Sequence, residues 1–397
     1  MYWGFLFGVL FLMYGAAGPY LSILLRSLGF SHSYVGILTA LCEGAAILSP
    51  FVFGQFADRC GRYKPIIIFT FLVSALSAAF ILLKPPLLLC SISLIFLSFA
   101  YRGAQPLVEA VCTINMGKNG NYGKYRVVGS LTYFLIVVFL QFTPVLRPNT
   151  AANISLWTMI CAGIGMVFVL FSPSYLLTNI KKEKRGTDIA KSDEDANKIH
   201  NLSGDNIRGA HKENLWTPVL VLGIILVFLS RLAMAPINSF VPLYVVEYLE
   251  WDAIGLMFAL SSGSEMPFIL ISKKLIKRFG DLQLIAAGTI AVILRLLICA
   301  IFPYKGGIVV SQCLHSLSYG VFHPAAISFI TRNVPPDKRA LGMSLYFALG
   351  TGVPTLIGNA GVGFIVEYFG YRVMFASFSL PAIAALVLYF VYAHKKA

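Results

Sequence analysis

The sequence predicts an all-α membrane protein: twelve transmembrane helices arranged as two pseudo-symmetric six-helix bundles. Three observations predict it. The chain is 58% hydrophobic and 12% charged, with a mean hydropathy of +0.78, whereas soluble domains run near a quarter charged. Apolar stretches of the roughly 20 residues that a helix needs to cross a bilayer recur along almost the whole length. The second half also echoes the first at an offset of 219 residues.

The first span, 2–27, begins MYWGFLFGVLFLMYG and lacks the basic segment and cleavage site of a signal peptide. Spans follow at 34–57, 65–83, 87–115, 123–146 and 154–178. The stretch 179–214 is long, polar and mixed in charge, and reads as a flexible cytoplasmic linker. After it come spans at 215–246, 253–276, 282–303, 306–332, 339–367 and 372–394. The expected organisation is thus a bundle over 1–178, the linker 179–214 and a second bundle over 215–397.

Placing both termini in the cytoplasm puts 23 of the 31 Lys and Arg in inside segments. Five fall in outside loops (Arg26, Lys84, Arg147, Lys305, Arg372) and three within helices (Arg102, Arg231, Arg295). This is the positive-inside pattern, and it predicts a multi-pass plasma-membrane protein of the bacterial inner-membrane type. The net charge of +14 therefore reflects topology and not a nucleic-acid partner. The expected partners are the bilayer and a small solute, with the monomer as the working unit. The seven cysteines are scattered without a CxxC pair and read as reduced, mostly buried small hydrophobes. No metal site, nucleophile motif or bound cofactor is expected, and the protein is not expected to be an enzyme.

The repeat is specific. Val35-Gly36-Ile37-Leu38 corresponds to Ile254-Gly255-Leu256-Met257, Arg59-Cys60-Gly61 to Arg278-Phe279-Gly280, and Gly103 with Pro106 to Gly320 with Pro324. Two parallel halves with a solute site between them form a transporter architecture. Ionisable residues in the middle of apolar helices mark such sites, because an unpaired charge at the bilayer centre costs roughly 2.5–3.5 kcal/mol on insertion scales. Here they are Glu43, Arg102 and Glu109 in the first half, and Glu265, Arg295, His315 and His323 in the second. Arg102 and Glu109, seven residues apart, share a helix face, so Arg102 either balances Glu109 or faces an anionic solute. The repeat sets Glu43 opposite Ser262, one turn from Glu265, so either the two acids approach the cavity from both halves or Glu43 makes an inter-helix structural bond. Asn238 shares a face with Arg231 and is expected on the same wall, and Tyr319 could stack on a ring of the solute. His323 is expected about 80° round the helix from His315.

Between the second and third spans, Gly54-Gln55-Phe56-Ala57-Asp58-Arg59-Cys60-Gly61-Arg62-Tyr63-Lys64 matches the G-x-x-x-D-R-x-G-R-x-K/R signature of the major facilitator superfamily. The resemblance implies a conformational role for Gly54, Asp58, Arg59, Gly61 and Arg62, with the charges capping helix ends and holding one state. Within that superfamily the chain resembles the branch of lactose permease and the phenylpropionate-type permeases. The similarity rests on Gly15-Ala16-Ala17-Gly18-Pro19-Tyr20-Leu21, Glu265-Met266-Pro267-Phe268, Leu314-His315 with Gly320 and His323, and Val108-Glu109-Ala110 with Tyr122-Gly123-Lys124-Tyr125-Arg126. It implies that Glu109 and Arg126 pair across a solute site. Two departures stand out. Ser318 occupies the position of the branch's proton acceptor on the tenth helix, which leaves Glu265 as the proton carrier, with Arg295 and His315 beside it. Arg295 also lies one residue away from the branch's arginine.

The sequence therefore predicts proton-coupled uptake of a small organic solute, a sugar, nucleoside or aromatic acid, by alternating access, with the proton as the coupling ion. The alternatives are an uncoupled facilitator or an exporter of the same fold, or a membrane sensor on a transporter scaffold.

Overall fold

The computed structural model describes residues 2–116, 122–143, 146–177, 217–335 and 338–396; the expected linker lies outside them. The described residues are helical with no strands. A bilayer offers the backbone no hydrogen-bond partners, so each span must satisfy its own. In order they are α1 (Tyr2–Ser27), α2 (His32–Cys60), α3 (Lys64–Leu82), α4 (Leu87–Met116), α5 (Tyr122–Phe142) and α6 (Ala151–Phe171). The C-terminal group holds α7 (Pro218–Ala233, continued in short pieces to Tyr248), α8 (Ile254–Phe279) and α9 (Asp281–Ile301). Then α10 runs as Lys305–Cys313, a widened turn Ser316–Val321 and Phe322–Asn333. Arg339 to Lys396 follows, bent at Gly370 into α11 and α12. Among the described residues nine helices are long and apolar enough to cross a membrane. The seventh and tenth expected spans are in shorter pieces, and the last two share one apolar stretch, Leu341–Lys395.

Local chemistry sets the boundaries. Ser31, Thr150 and Thr217 cap α2, α6 and α7 by accepting from backbone N–H groups three residues on. Gly61 takes φ 66° and closes α2 by donating to Ala57 O, and Gly280 takes φ 89° at the end of α8. These two are equivalent in the repeat, and a residue with a Cβ resists that left-handed backbone. The signature turn is docked: Tyr63 N donates to Leu177 O (2.9 Å) and Lys64 Nζ to Ser172 O (2.7 Å) at the end of α6. Arg59 and Arg62 are exposed there, while the Asp58 side chain lies outside the description.

The repeat glycines also mark pseudo-equivalent close approaches. Gly103 lets α4 lie against Phe53 and Ser49 of α2, and Gly320 lets α10 lie against Glu265 and Phe268 of α8. Between the two helix groups, Gly36 of α2 meets the backbone of Asn359 and Gly363 on α11, and Gly255 of α8 meets Val137 O on α5.

Polar bonds between the groups gather at the Lys- and Arg-poor end. Glu247, just beyond the expected seventh span, accepts from Arg26 Nε (2.8 Å), His32 Nε2 (2.7 Å) and the Tyr371 hydroxyl (2.7 Å). Ser33 N donates to Glu367 (3.2 Å), which also lies 3.5 Å from His32 Nδ1. On the second seam Arg147 Nη1 donates to Asp252 (2.7 Å), and Gln141 Nε2 donates to the Asp252 carbonyl (2.7 Å). The chain is thus zipped at this end.

Burial alone would push the Glu247 carboxyl up, but the bonds from His32, Arg26 and Tyr371 outweigh it and hold the pKa at about 2, against an ordinary 4.5. A depressed carboxyl stabilises the state that contains it above its ordinary pKa, and that stabilisation is lost as pH falls through the lowered value. Spin labels at the exposed positions Tyr34 and Phe369 should therefore keep their closed-seam distance down to pH 4.5 and separate between there and pH 2. A distance unchanged at the acid end would remove Glu247 from the closure.

Candidate functional site

The second-half cluster is built around Arg295, wholly buried in the middle of α9. Its Nη1 donates to Ser318 Oγ (2.8 Å) and to His315 Nδ1 (3.0 Å), and its Nη2 to Gln312 Oε1 (3.1 Å). Gln312 Oε1 also accepts from Ser261 of α8. Arginine can only donate, so His315 Nδ1 accepts and the proton of a neutral ring sits on Nε2. That nitrogen points at Glu265 Oε2, 3.5 Å away. The order is guanidinium, imidazole, carboxylate. Glu265 is therefore reached by Arg295 through His315 and not by a direct ion pair. A second ring proton on His315 would set N–H against N–H, so the histidine is placed to donate toward Glu265.

The widened turn in α10 changes the expected face. In a regular helix, residues eight apart are about 80° out of line. The extra residue per turn in Ser316–Val321 removes that drift. His315, Tyr319 and His323 consequently stack in a column, with ring centres 5.3 and 5.2 Å apart and planes within 10° and 16°. His323 Nδ1 shares a 2.7 Å hydrogen bond with the Tyr346 hydroxyl of α11. Arg231 of α7 lies 4.9 Å from the Tyr319 ring centre and 5.1 Å from that of Phe322.

In the first half the expected balance between Arg102 and Glu109 is corrected. Arg102 Nη1 donates to Glu43 Oε2 (2.9 Å), with a second contact from Nη2, and Arg102 Nε donates to the Tyr101 hydroxyl (2.9 Å). Arg102 therefore does not balance Glu109. The close approach at Gly103 brings α2 beside it, and cross-helix proximity outcompetes a partner two turns away. Glu43, in turn, is held by Arg102 instead of being presented toward Glu265. Glu109 accepts from Gln105 Nε2 (2.8 Å) and lies 3.8 Å from Arg126 Nε. The guanidinium of Arg126 sits 4.2 Å from the Phe11 ring centre. Asn238 is exposed on a short helical piece, Ala235–Ser239, and belongs to none of the bonded clusters described above.

The two clusters face each other. Tyr319 and His323 stand within electrostatic reach of both Arg231 and Arg126, and Tyr133 of α5 within that of Glu265. Arg102, Glu43, Arg126, Glu109, Glu265 and His315 all keep side-chain exposure between 17% and 34%. Charges within apolar spans with that exposure belong beside a wet cavity. Sequence reasoning missed Ser261, Gln312 and Tyr346. Neutral polar residues in an apolar run cost little to bury once bonded, so they carry no sequence alarm.

A family description, the MFS_1 like family, matches residues 2–377. Maltose permease of Geobacillus stearothermophilus is 22% identical over 391 residues, covering 98% of this chain and 93% of its own. Uncharacterized transporter YwbF of Bacillus subtilis (strain 168) is 23% identical over 392 residues, covering 97% and 92%. In shape the chain is similar to the nucleoside transporter NupG, with a TM-score of 0.77 at 16% identity over 99% of this chain and 98% of that one. A POT family transporter solved with a thioalcohol conjugated peptide gives 0.72 at 15% identity over 98% and 95%. At such identities the solved structures speak for the fold alone. Buried mid-membrane charges facing one another across two helical bundles fit that assignment, and the chain belongs to the MFS_1 like family of membrane transporters.

Proposed function

We propose that this transporter takes up a small organic solute together with protons, by alternating access. The single observation that carries the coupling is the setting of Glu265. Glu43 is held by Arg102, and Glu109 lies against Gln105 and Arg126. Among the described residues no guanidinium lies within ion-pair distance of Glu265, which faces His315, so protonating it breaks no direct Arg pair, whereas protonating Glu43 would strand the Arg102 charge. The zipped end described above is then the outer gate, closed, with the cavity open toward the cytoplasm. The relative named as a maltose permease supports a polar organic cargo. In this reading residues 1–178 and 215–397 are the two rocking bundles, both termini are cytoplasmic, the membrane is of the bacterial inner-membrane type and the monomer suffices.

The test is uptake into proteoliposomes across a panel of sugars, nucleosides and aromatic acids, with and without an imposed pH difference. The transported solute should accumulate about tenfold per proton for each pH unit, since one unit is worth about 1.4 kcal/mol. Equilibration without accumulation at any gradient would make the protein an uncoupled facilitator.

A further inference from the structure

The charges that line the space between the bundles do not balance. The described interior holds four guanidinium groups, Arg102, Arg126, Arg231 and Arg295, against three carboxylates, Glu43, Glu109 and Glu265. Three of the four arginines are accounted for. Arg102 has Glu43, Arg126 lies against Glu109, and Arg295 is joined to Glu265 through His315 and donates to Ser318 and Gln312, leaving its Nε without a partner. Arg231 is the one left over.

Its setting is unusual. Arg231 is 5% exposed, in the last turn of the Pro218–Ala233 helix. A guanidinium carries five N–H donors. Those of Arg231 find the Met234 sulfur at 3.9 Å, the hydroxyl of Tyr346 and the ring faces of Tyr319 and Phe322, and its Nε has no partner. No carboxylate lies within ion-pair distance among the described residues. An arginine buried in this way is expensive unless an anion meets it, and aromatic faces offset only part of that cost. The charge also stands at the solute gap, because Tyr319, against which it lies, is within reach of Arg126 on the opposite bundle.

We infer that the solute carries one negative charge, and that Arg231 is the residue that selects for it, with the Tyr319 column presenting the anionic group to its guanidinium. This rests on the transporter reading and narrows it. Among the allowed cargoes it favours organic acids over neutral sugars and nucleosides. Arg126, only loosely engaged with Glu109 at 3.8 Å, is placed to steer the anion from the other side. Protonated Glu265 would raise the interior excess by one more, so loading of the proton and loading of the acid support each other.

The experiment uses the full chain in proteoliposomes with matched pairs of solutes: benzoate and benzamide, lactate and lactamide, gluconate and glucose, alongside maltose and uridine. Acids should move, with their neutral counterparts at least tenfold weaker in kcat/KM. Arg231→Gln should raise the KM for the transported acid at least tenfold and erase the preference within a pair. Arg231→Lys, which keeps the charge, should restore most of it and so separates loss of charge from loss of fold. Movement of neutral solutes as fast as acids overturns the inference while leaving the transporter reading intact, as does Arg231→Gln with an unchanged KM for an acid. Movement of nothing removes both.

Discussion

Glu265→Gln is expected to abolish accumulation driven by a pH difference while leaving exchange of solute across the membrane. Glutamine keeps the size of the side chain and an oxygen to accept from His315 Nε2, so the packing of α8 on α10 at Gly320 is preserved. What it loses is the ability to hold and release a proton. At a gradient of two pH units the protein with Glu265 intact should reach about a hundredfold accumulation per coupled proton, and the variant a ratio near one. Counterflow, which needs the carrier to reorient only while loaded, should persist. The decisive comparison is accumulation against counterflow in the same vesicles. Full accumulation in the variant would falsify the assignment of Glu265 and move the proton to another group. Glu109→Gln serves as the contrast: Glu109 lies against Gln105 and Arg126, so losing its charge should alter the KM for the solute and leave accumulation in place.

What could be read from the sequence follows from how hard each constraint presses. A bilayer demands long apolar helices, so the spans were legible, and Gly61 stood out in both the signature and the repeat. Mid-helix charges are equally conspicuous, and Glu265, His315 and Arg295 were found together. Their wiring was not. Helical spacing pointed Arg102 at Glu109, but the contact that formed runs across to Glu43, because a glycine at 103 lets two helices touch. A widened turn leaves no mark in hydrophobic periodicity, so the alignment of His315, Tyr319 and His323 was hidden. Gln312 and Ser318 became partners of Arg295 only once α9 and α10 were packed together. The sequence thus exposes where charge is buried, and the helix packing decides which charge meets which.

The repeat glycines at the closed end lead to a second large effect. At Gly36 an added Cβ would lie 2.6 Å from Asn359 O and 2.8 Å from Gly363 Cα, and at Gly255 it would strike Val137 O. These neighbours are backbone and cannot swing aside. Overpacking of this kind costs roughly 1–3 kcal/mol per site, a factor of about 5 to 150 in a two-state balance. The clash exists only while the bundles are pressed together at that end. The cost therefore falls on the closed-outside state alone, and substituting both glycines should make the costs add. Gly36→Val with Gly255→Val should hold the Tyr34 and Phe369 labels apart at neutral pH. It should also cut uptake at least tenfold while leaving a folded, monodisperse protein. Gly163→Ala is the matched control: its Cβ would meet nothing within 4 Å, so α6 keeps its packing and uptake should be unchanged. Labels that stay close in the double variant would show that the seams are not where the two bundles part, and that the Arg147–Asp252 and Glu247 contacts survive the transport cycle instead of breaking once in each turn of it.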